Sequence, residues 1–180
     1  MAREETVVTR DIEVTAIPYG DKLTLTAGTP VIISQALGGS YTLVTMQGYM
    51  VRLDGKDADA IGKEAQAGPT AEEAASKPLP ELAWDQLKTC YDPEIPVNIV
   101  DLGLVYLCEL EDAEGAKNVK IKMTLTAPGC GMGPVLASDV KMKVESLPGV
   151  KEAEVEVVFD PVWDRSMMSE AAKLQLGMYY

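Results

Sequence analysis

Residues 64–80 read EAQAGPTAEEAASKPLP, a run of Ala, Glu and Pro with few large apolar side chains. Such a stretch adds little to a core and reads as a linker with at most a short helical piece. It divides the chain into two unequal regions. The expected organisation is a small all-β domain at 1–63, a linker at 64–78 and a larger helix-and-strand domain at 79–180.

The first region carries short alternating runs: Asp11–Ile17, Lys22–Thr26, Pro30–Ala36, Tyr41–Met46 and Tyr49–Leu53. Gly20-Asp21, Gly28-Thr29-Pro30, Gly38-Gly39-Ser40 and Gln47-Gly48 supply the turns between them. Strands this short and close predict a small barrel or compact sheet. The Gly38-Gly39 pair reads as a tight hairpin. No helix follows it, and no Lys or Ser/Thr stands where a phosphate loop needs one.

The second region alternates helix and strand patterns. Glu81–Tyr91 is predicted helical, stopped by Asp92-Pro93. Leu102–Leu110 reads as a central strand, and Glu111–Asn118 as a polar turn. Val119–Thr126 places Ile121, Met123 and Leu125 on one face and Lys120, Lys122, Thr124 and Thr126 on the other. In Pro134–Leu147, the stripe Leu136, Val140, Val144, Leu147 marks a helix that Pro148-Gly149 ends. Ala153–Phe159 alternates again, and the tail from Ser169 reads as a last short helix. The fold class is α+β: an α/β sandwich of order α-β-β-α-β, its helices packed on a small mixed sheet, preceded by the small all-β domain.

Composition narrows the chemistry. The 180 residues are 47% apolar, enough for a core, and carry a net charge of −12. That charge argues against nucleic acid and anionic membranes as partners. No apolar run approaches membrane-spanning length, and the Met-Ala-Arg-Glu-Glu start does not read as a secretory signal. Three widely spaced cysteines, Cys90, Cys108 and Cys130, do not form a disulfide framework and point to a reducing cytoplasm. The chain has no histidine, so Ser-His-Asp and Cys-His catalysis within one chain are excluded. No CxxC is present, which disfavours a closed structural zinc site.

Cys90, on the apolar side of a predicted helix, and Cys108, inside an apolar strand, read as small buried hydrophobes. Cys130 differs. It stands in TLTAPGCGMG, between the end of one predicted strand and the start of a helix, flanked by Gly129, Gly131 and Gly133. Ligands of α/β proteins gather at that edge of the sheet. The free N–H groups of a first helical turn favour a thiolate there. Glycines let backbone N–H groups approach a ligand. A second constellation is DPEIPVNIVDLGLVY, in which Asp92 and Glu94 bracket Pro93. Two carboxylates on a stiff turn suit a cation or acid–base work. The plainer reading is a turn residue at a helix end and a solvated glutamate. Carboxylates near Cys130 would oppose a thiolate unless a metal ion neutralised both.

The segments DPEIPVNIVDLGLVY, KIKMTLTAPGCGMGPVLASDV and LPGVKEAEVEVVFDPVWDRSMMS, in that order, resemble the SufT/PaaD-type family of iron–sulfur cluster assembly domains over roughly residues 79–180. The all-β region, with YGDKLTLTAGTPVIISQALGGSYTLVT, resembles an extension carried by part of that family. The resemblance implies a cytoplasmic, non-enzymatic auxiliary factor acting between the assembly machinery and apo client proteins. Its cofactor would be a transient iron–sulfur cluster or iron. The family's reactive cysteine falls on Cys130, its acidic turn on Asp92 and Glu94, and the threonine before the cysteine loop on Thr126. Asn98 and Asp101 belong to the same motif as supporting positions. The chain departs from the common pattern at Ala127, where a second threonine often stands. One thiol cannot satisfy a cluster that takes four ligands. A homodimer, which brings two Cys130 thiols to one ligand, is therefore expected. The rival expectation is an adaptor that links assembly proteins to clients without cluster chemistry.

Overall fold

The computed structural model describes residues 3–65, 69–92 and 95–178. The chain divides into two compact units, Met1–Ala67 and Gly68–Tyr180.

Unit one is built from short antiparallel strands: β1 (Glu4–Val7), β2 (Ile12–Ile17), β3 (Lys22–Leu25), β4 (Pro30–Leu37), β5 (Ser40–Thr45) and β6 (Met50–Asp54). They form one sheet in the order β1-β4-β5-β6-β2-β3. Alternation supplies the buried face: Ile12 and Val14 from β2, Val31 and Ile33 from β4, Tyr41 and Leu43 from β5, Val51 and Leu53 from β6. A short 3-10 helix, Gly55–Ile61, adds Ala58, Ala60 and Ile61 to that core. Gly38 and Gly39 both have positive φ between the paired Leu37 and Ser40, so the glycine pair is a two-residue type I′ hairpin turn. β1 has no apolar alternation to announce it. Its residues are mostly exposed, and pairing with β4, Glu4↔Ile33 through Val7↔Pro30, makes it a strand.

Unit two mixes helices and strands. α1 (Ala71–Ser76) opens on a capping box between Thr70 and Glu73 and buries nothing. α2 (Leu79–Leu87) is followed by β7 (Val105–Ala113), β8 (Ala116–Met123), α3 (Gly133–Glu145), β9 (Val150–Val157) and α4 (Glu170–Gln175). The sheet order is β7-β8-β9, with β7 and β8 antiparallel and β8 and β9 parallel. Val119, Ile121 and Met123 of β8 and Ala153 of β9 pack with Leu87 of α2 and with Leu136, Val140 and Val144 of α3 in one core. Lys120, Lys122, Glu152, Glu154 and Glu156 occupy the exposed face of the sheet. Among the described residues, no helix is long and apolar enough to cross a membrane.

Two sequence-derived boundaries move. The helix expected to reach Tyr91 ends at Leu87, because Cys90 C=O accepts from Ile99 N–H and Tyr91 bridges to Asn98. The strand expected at Leu102–Leu110 starts and ends later. Leu102–Leu104 turns, with Leu102 N–H donating to Asn98 C=O and Leu104 N–H to Ile99 C=O. Cross-strand pairing then carries β7 through Asp112↔Lys117 to a tight turn at Glu114-Gly115. The supposed polar turn at Glu111–Asn118 is therefore largely strand.

Candidate functional site

The cysteine loop is the connection from β8 to α3. It is pinned at both ends by burial: Leu125 is 8% exposed and Met132, the residue before α3, 2%. Gly133 lets Leu125 pack against the start of α3, since a Cβ there would come 2.6 Å from Leu125 Cδ1. Between these anchors, Ala127, Pro128 and Gly129 lie exposed. Cys130 is half-buried and packs partly on the core. Its C=O accepts from Gly133 N–H at 3.1 Å, and its own N–H donates to Ala127 C=O at 3.4 Å. The thiol thus stands two residues before the N-cap of a helix of 13 residues that has no side-chain cap. All three cysteines are free of disulfides.

Thr126 is half-buried at the start of the same loop. Thr124, two residues earlier, is fully buried, and its Oγ1 has no hydrogen-bond partner. An orphaned buried hydroxyl is uncommon in a folded protein. Alternation put Thr124 on the polar face of the strand. It gave no sign that this face is covered at that end.

The acidic turn is built differently. Asp92 is 7% exposed, and its Oδ1 accepts from Ile95 N–H at 3.0 Å, folding the segment after α2 back on itself. Asp92 N–H reaches Val97 C=O at 3.4 Å. Glu94 lies outside the described residues. Asn98 and Asp101 are brought together: Asn98 Nδ2 donates to Asp101 Oδ2 at 2.6 Å, and Asp101 N–H to Asn98 Oδ1 at 2.9 Å. Asp101 then receives Ser169 Oγ on Oδ1 and Ser169 N–H on its C=O, while Ser169 caps α4 by accepting from Ala172 N–H. These two polar residues hold the C-terminal helix onto the turn. Replacing Asp101 with Ala removes a charge-assisted bond at that cap. The expected cost is about 1–2 kcal/mol. Amide exchange should rise at Ala172–Leu176 and stay unchanged in β8.

The other two thiols lie elsewhere: Cys90 is buried after α2, and Cys108, half-buried like Cys130, stands within β7. Cys90 is fully buried, its Sγ 3.6 Å from Gln86 C=O. Burial pushes the Cys108 thiol from 9.0 up to about 11. A raised thiol pKa keeps a proton on the folded form that the unfolded chain has lost. Stability from this source is intact below pH 9, and it falls as pH climbs towards 11. Chemical denaturation between these values should show that fall, and Cys108→Ala should flatten it.

Among the described residues, no three Cys, Asp or Glu side chains come together as a metal-binding group. A cluster normally takes four ligands, so the Cys130 thiol by itself does not complete a set.

Residues 81–157, from α2 through the cysteine loop to the end of β9, match the family described as "Iron-sulfur cluster assembly protein". A "Fe-S protein maturation auxiliary factor" of Porphyromonas gingivalis is 50% identical over 91 residues, which are 51% of this chain and 84% of that protein. The chain belongs to the iron–sulfur cluster assembly protein family. Two further relatives in this family are similar. The "Fe-S protein maturation auxiliary factor YitW" of Bacillus subtilis is 42% identical over 100 residues, 56% of this chain and 95% of its own length. The "Fe-S protein maturation auxiliary factor SufT" of Staphylococcus aureus is 44% identical over 87 residues, 48% of this chain and 96% of its own length. None of the three family members has room for a second unit the size of Met1–Ala67. The family match likewise begins after that unit.

Proposed function

We propose that this protein is a cytoplasmic, non-catalytic auxiliary factor in the maturation of iron–sulfur proteins, and that Cys130 is its working thiol. Its partners are assembly proteins and apo clients. The observation that carries this reading is the setting of Cys130. It alone of the three thiols lies on a loop at a helix start, with the orphaned Thr124 hydroxyl at the head of the same connection. The relatives' names supply the process. In this reading the cluster is cargo, held briefly by Cys130 together with thiols from a second copy or a client, since one thiol cannot supply the four ligands a cluster takes. Asp92 shapes the turn after α2, and Thr126 the entry to the cysteine loop.

The test is anaerobic incubation of the full chain with ferrous iron, sulfide and reductant. The parent and Cys108→Ser proteins should gain visible thiolate-to-iron absorption, and Cys130→Ser should not. Light scattering should show two chains per particle once iron is bound. Equal iron uptake by Cys130→Ser would overturn the ligand role, and a one-chain mass in the loaded state would overturn the homodimer.

One observation favours the adaptor reading as well. Tyr19, Met46 and Tyr49 of unit one are 69–74% exposed, and Met50 is 41% exposed. The pairing Ile17↔Met50 sets the β2–β3 and β5–β6 turns at one end of the sheet. Apolar side chains gathered at one end suit contact with an assembly protein. Under this reading, Tyr19→Ser with Tyr49→Ser loses a partner in pull-downs, while Cys130-dependent iron uptake is unchanged. Retention of every partner would count against it.

A further inference from the structure

β9 (Val150–Val157) is the edge strand of its sheet, and among the described residues no strand covers its outer side. Its eight residues contain no proline. Val158 N–H donates to Met123 C=O, so the backbone groups of the even-numbered residues of β9 face β8. Those of Ala153, Val155 and Val157 face outward. One outward donor is already occupied: Ala153 N–H donates to Glu145 Oε1 at 3.1 Å. The groups of Val155 remain at an open edge, which is a template for another strand. A cavity of about 370 Å³ runs along this edge, lined by Ala137, Ser138 and Lys141 of α3 and by Ala153 and Val155 of β9. Asn118, whose Oδ1 is buried without a hydrogen-bond partner, lines the same cavity.

The exposed face of the sheet shows what would fit. Across the strands, charges alternate in rows: Glu109↔Lys120↔Glu154, and Lys122↔Glu156 one step on. Lys122 Nζ lies 3.5 Å from Glu156 Oε2. The row ends on exposed Glu152, Glu154 and Glu156. Opposite charges directly across strands stabilise a pair, and like charges destabilise it. A second copy of β9 laid antiparallel would set these glutamates against one another. A strand with a cation at every second position would continue the alternation.

We propose that the β9 edge docks an extended segment of a partner protein that carries Lys or Arg at alternate positions and small apolar residues between them. The segment joins the sheet as a fourth strand. Its cations meet Glu152, Glu154 and Glu156, and its apolar side chains enter the cavity against Ala137 and Ala153. This site is independent of the Cys130 thiol.

The test uses the full chain, isotopically labelled, titrated with end-blocked peptides. One has the sequence Lys-Val repeated three times. The second has the same composition in blocks, and the third replaces Lys with Glu. The alternating basic peptide should bind at least about tenfold more tightly than either control. Its shifts should concentrate at Ala153–Val157 and Ala137–Lys141, and exchange of the Val155 amide should slow. Val155→Pro, which removes an outward N–H, should abolish this binding. Glu154→Lys with Glu156→Lys should reverse the preference towards the Glu peptide, a readout that survives should the proline variant misfold. Equal binding of the alternating and block peptides would overturn the proposal, as would shifts scattered over the acidic surface or no binding at millimolar peptide. A Val155 amide already protected in a dimer of this chain would assign the edge to a second copy and overturn it too.

Discussion

Brief alkylation of the native, reduced protein at pH 8 should modify Cys130 about 100-fold faster than Cys108 and leave Cys90 untouched. The thiolate is the reacting species. Burial raises the Cys108 thiol to about 11, which cuts its thiolate at that pH by about two orders of magnitude relative to an ordinary cysteine. Cys90 is fully buried between α2 and the following turn, and a reagent reaches it only through local opening. Cys130 stands beside exposed Gly129 and Gly131 on a loop. Peptide mass spectrometry after short exposure reports each thiol separately. Comparable rates at Cys108 and Cys130 would contradict the distinction drawn between them.

The largest stability effect is expected at Gly103. Its φ is +74°, a region that costs any other residue strain, and a Cβ would lie 2.2 Å from Met167 O and 2.8 Å from Met167 C. The obstacle is backbone, so a rotamer change gives no relief. The strand end and the C-terminal segment are tied together around it. Trp163 Nε1 donates to Leu102 C=O at 2.7 Å, and Tyr106 OH donates to Pro161 C=O at 2.7 Å. Leu102 and Leu104 on either side are fully buried, so the turn cannot swing away. Gly103→Ala should therefore cost about 3 kcal/mol or more. In a unit of this size that lowers Tm by roughly 10 °C or more. A Tm within about 2 °C of the parent would show that the segment does not press on this turn.

The elements most legible in the sequence were those that alternation or a stripe writes directly. Ile121 and Met123 of β8 are buried as the alternation has them, and so is Leu125 just beyond the strand. α3 buries Leu136, Val140 and Val144, the stripe at helical spacing. The cysteine loop was legible for the same reason, since it is bounded by these two elements. What escaped was held by partners distant in the chain. β1 is a strand because β4 lies beside it. The second half of β7, rich in acidic residues, is a strand because β8 lies beside it. The roles of Asn98 and Asp101 depend on Ser169, 68 residues beyond Asp101. No local pattern reports that bond. Alternation places Thr124 on the polar face, and only the packed structure shows its hydroxyl buried and without a partner.

The central claim is that Cys130 does the chemistry of maturation. The most direct measurement is the activity of an iron–sulfur-dependent enzyme in cells whose own copy of this gene is replaced by the parent, Cys130→Ser or Cys108→Ser, grown under iron limitation with equal protein levels. The account predicts that Cys108→Ser supports the enzyme as the parent does, while Cys130→Ser falls to the level of cells with no copy. Parental activity with Cys130→Ser would contradict it.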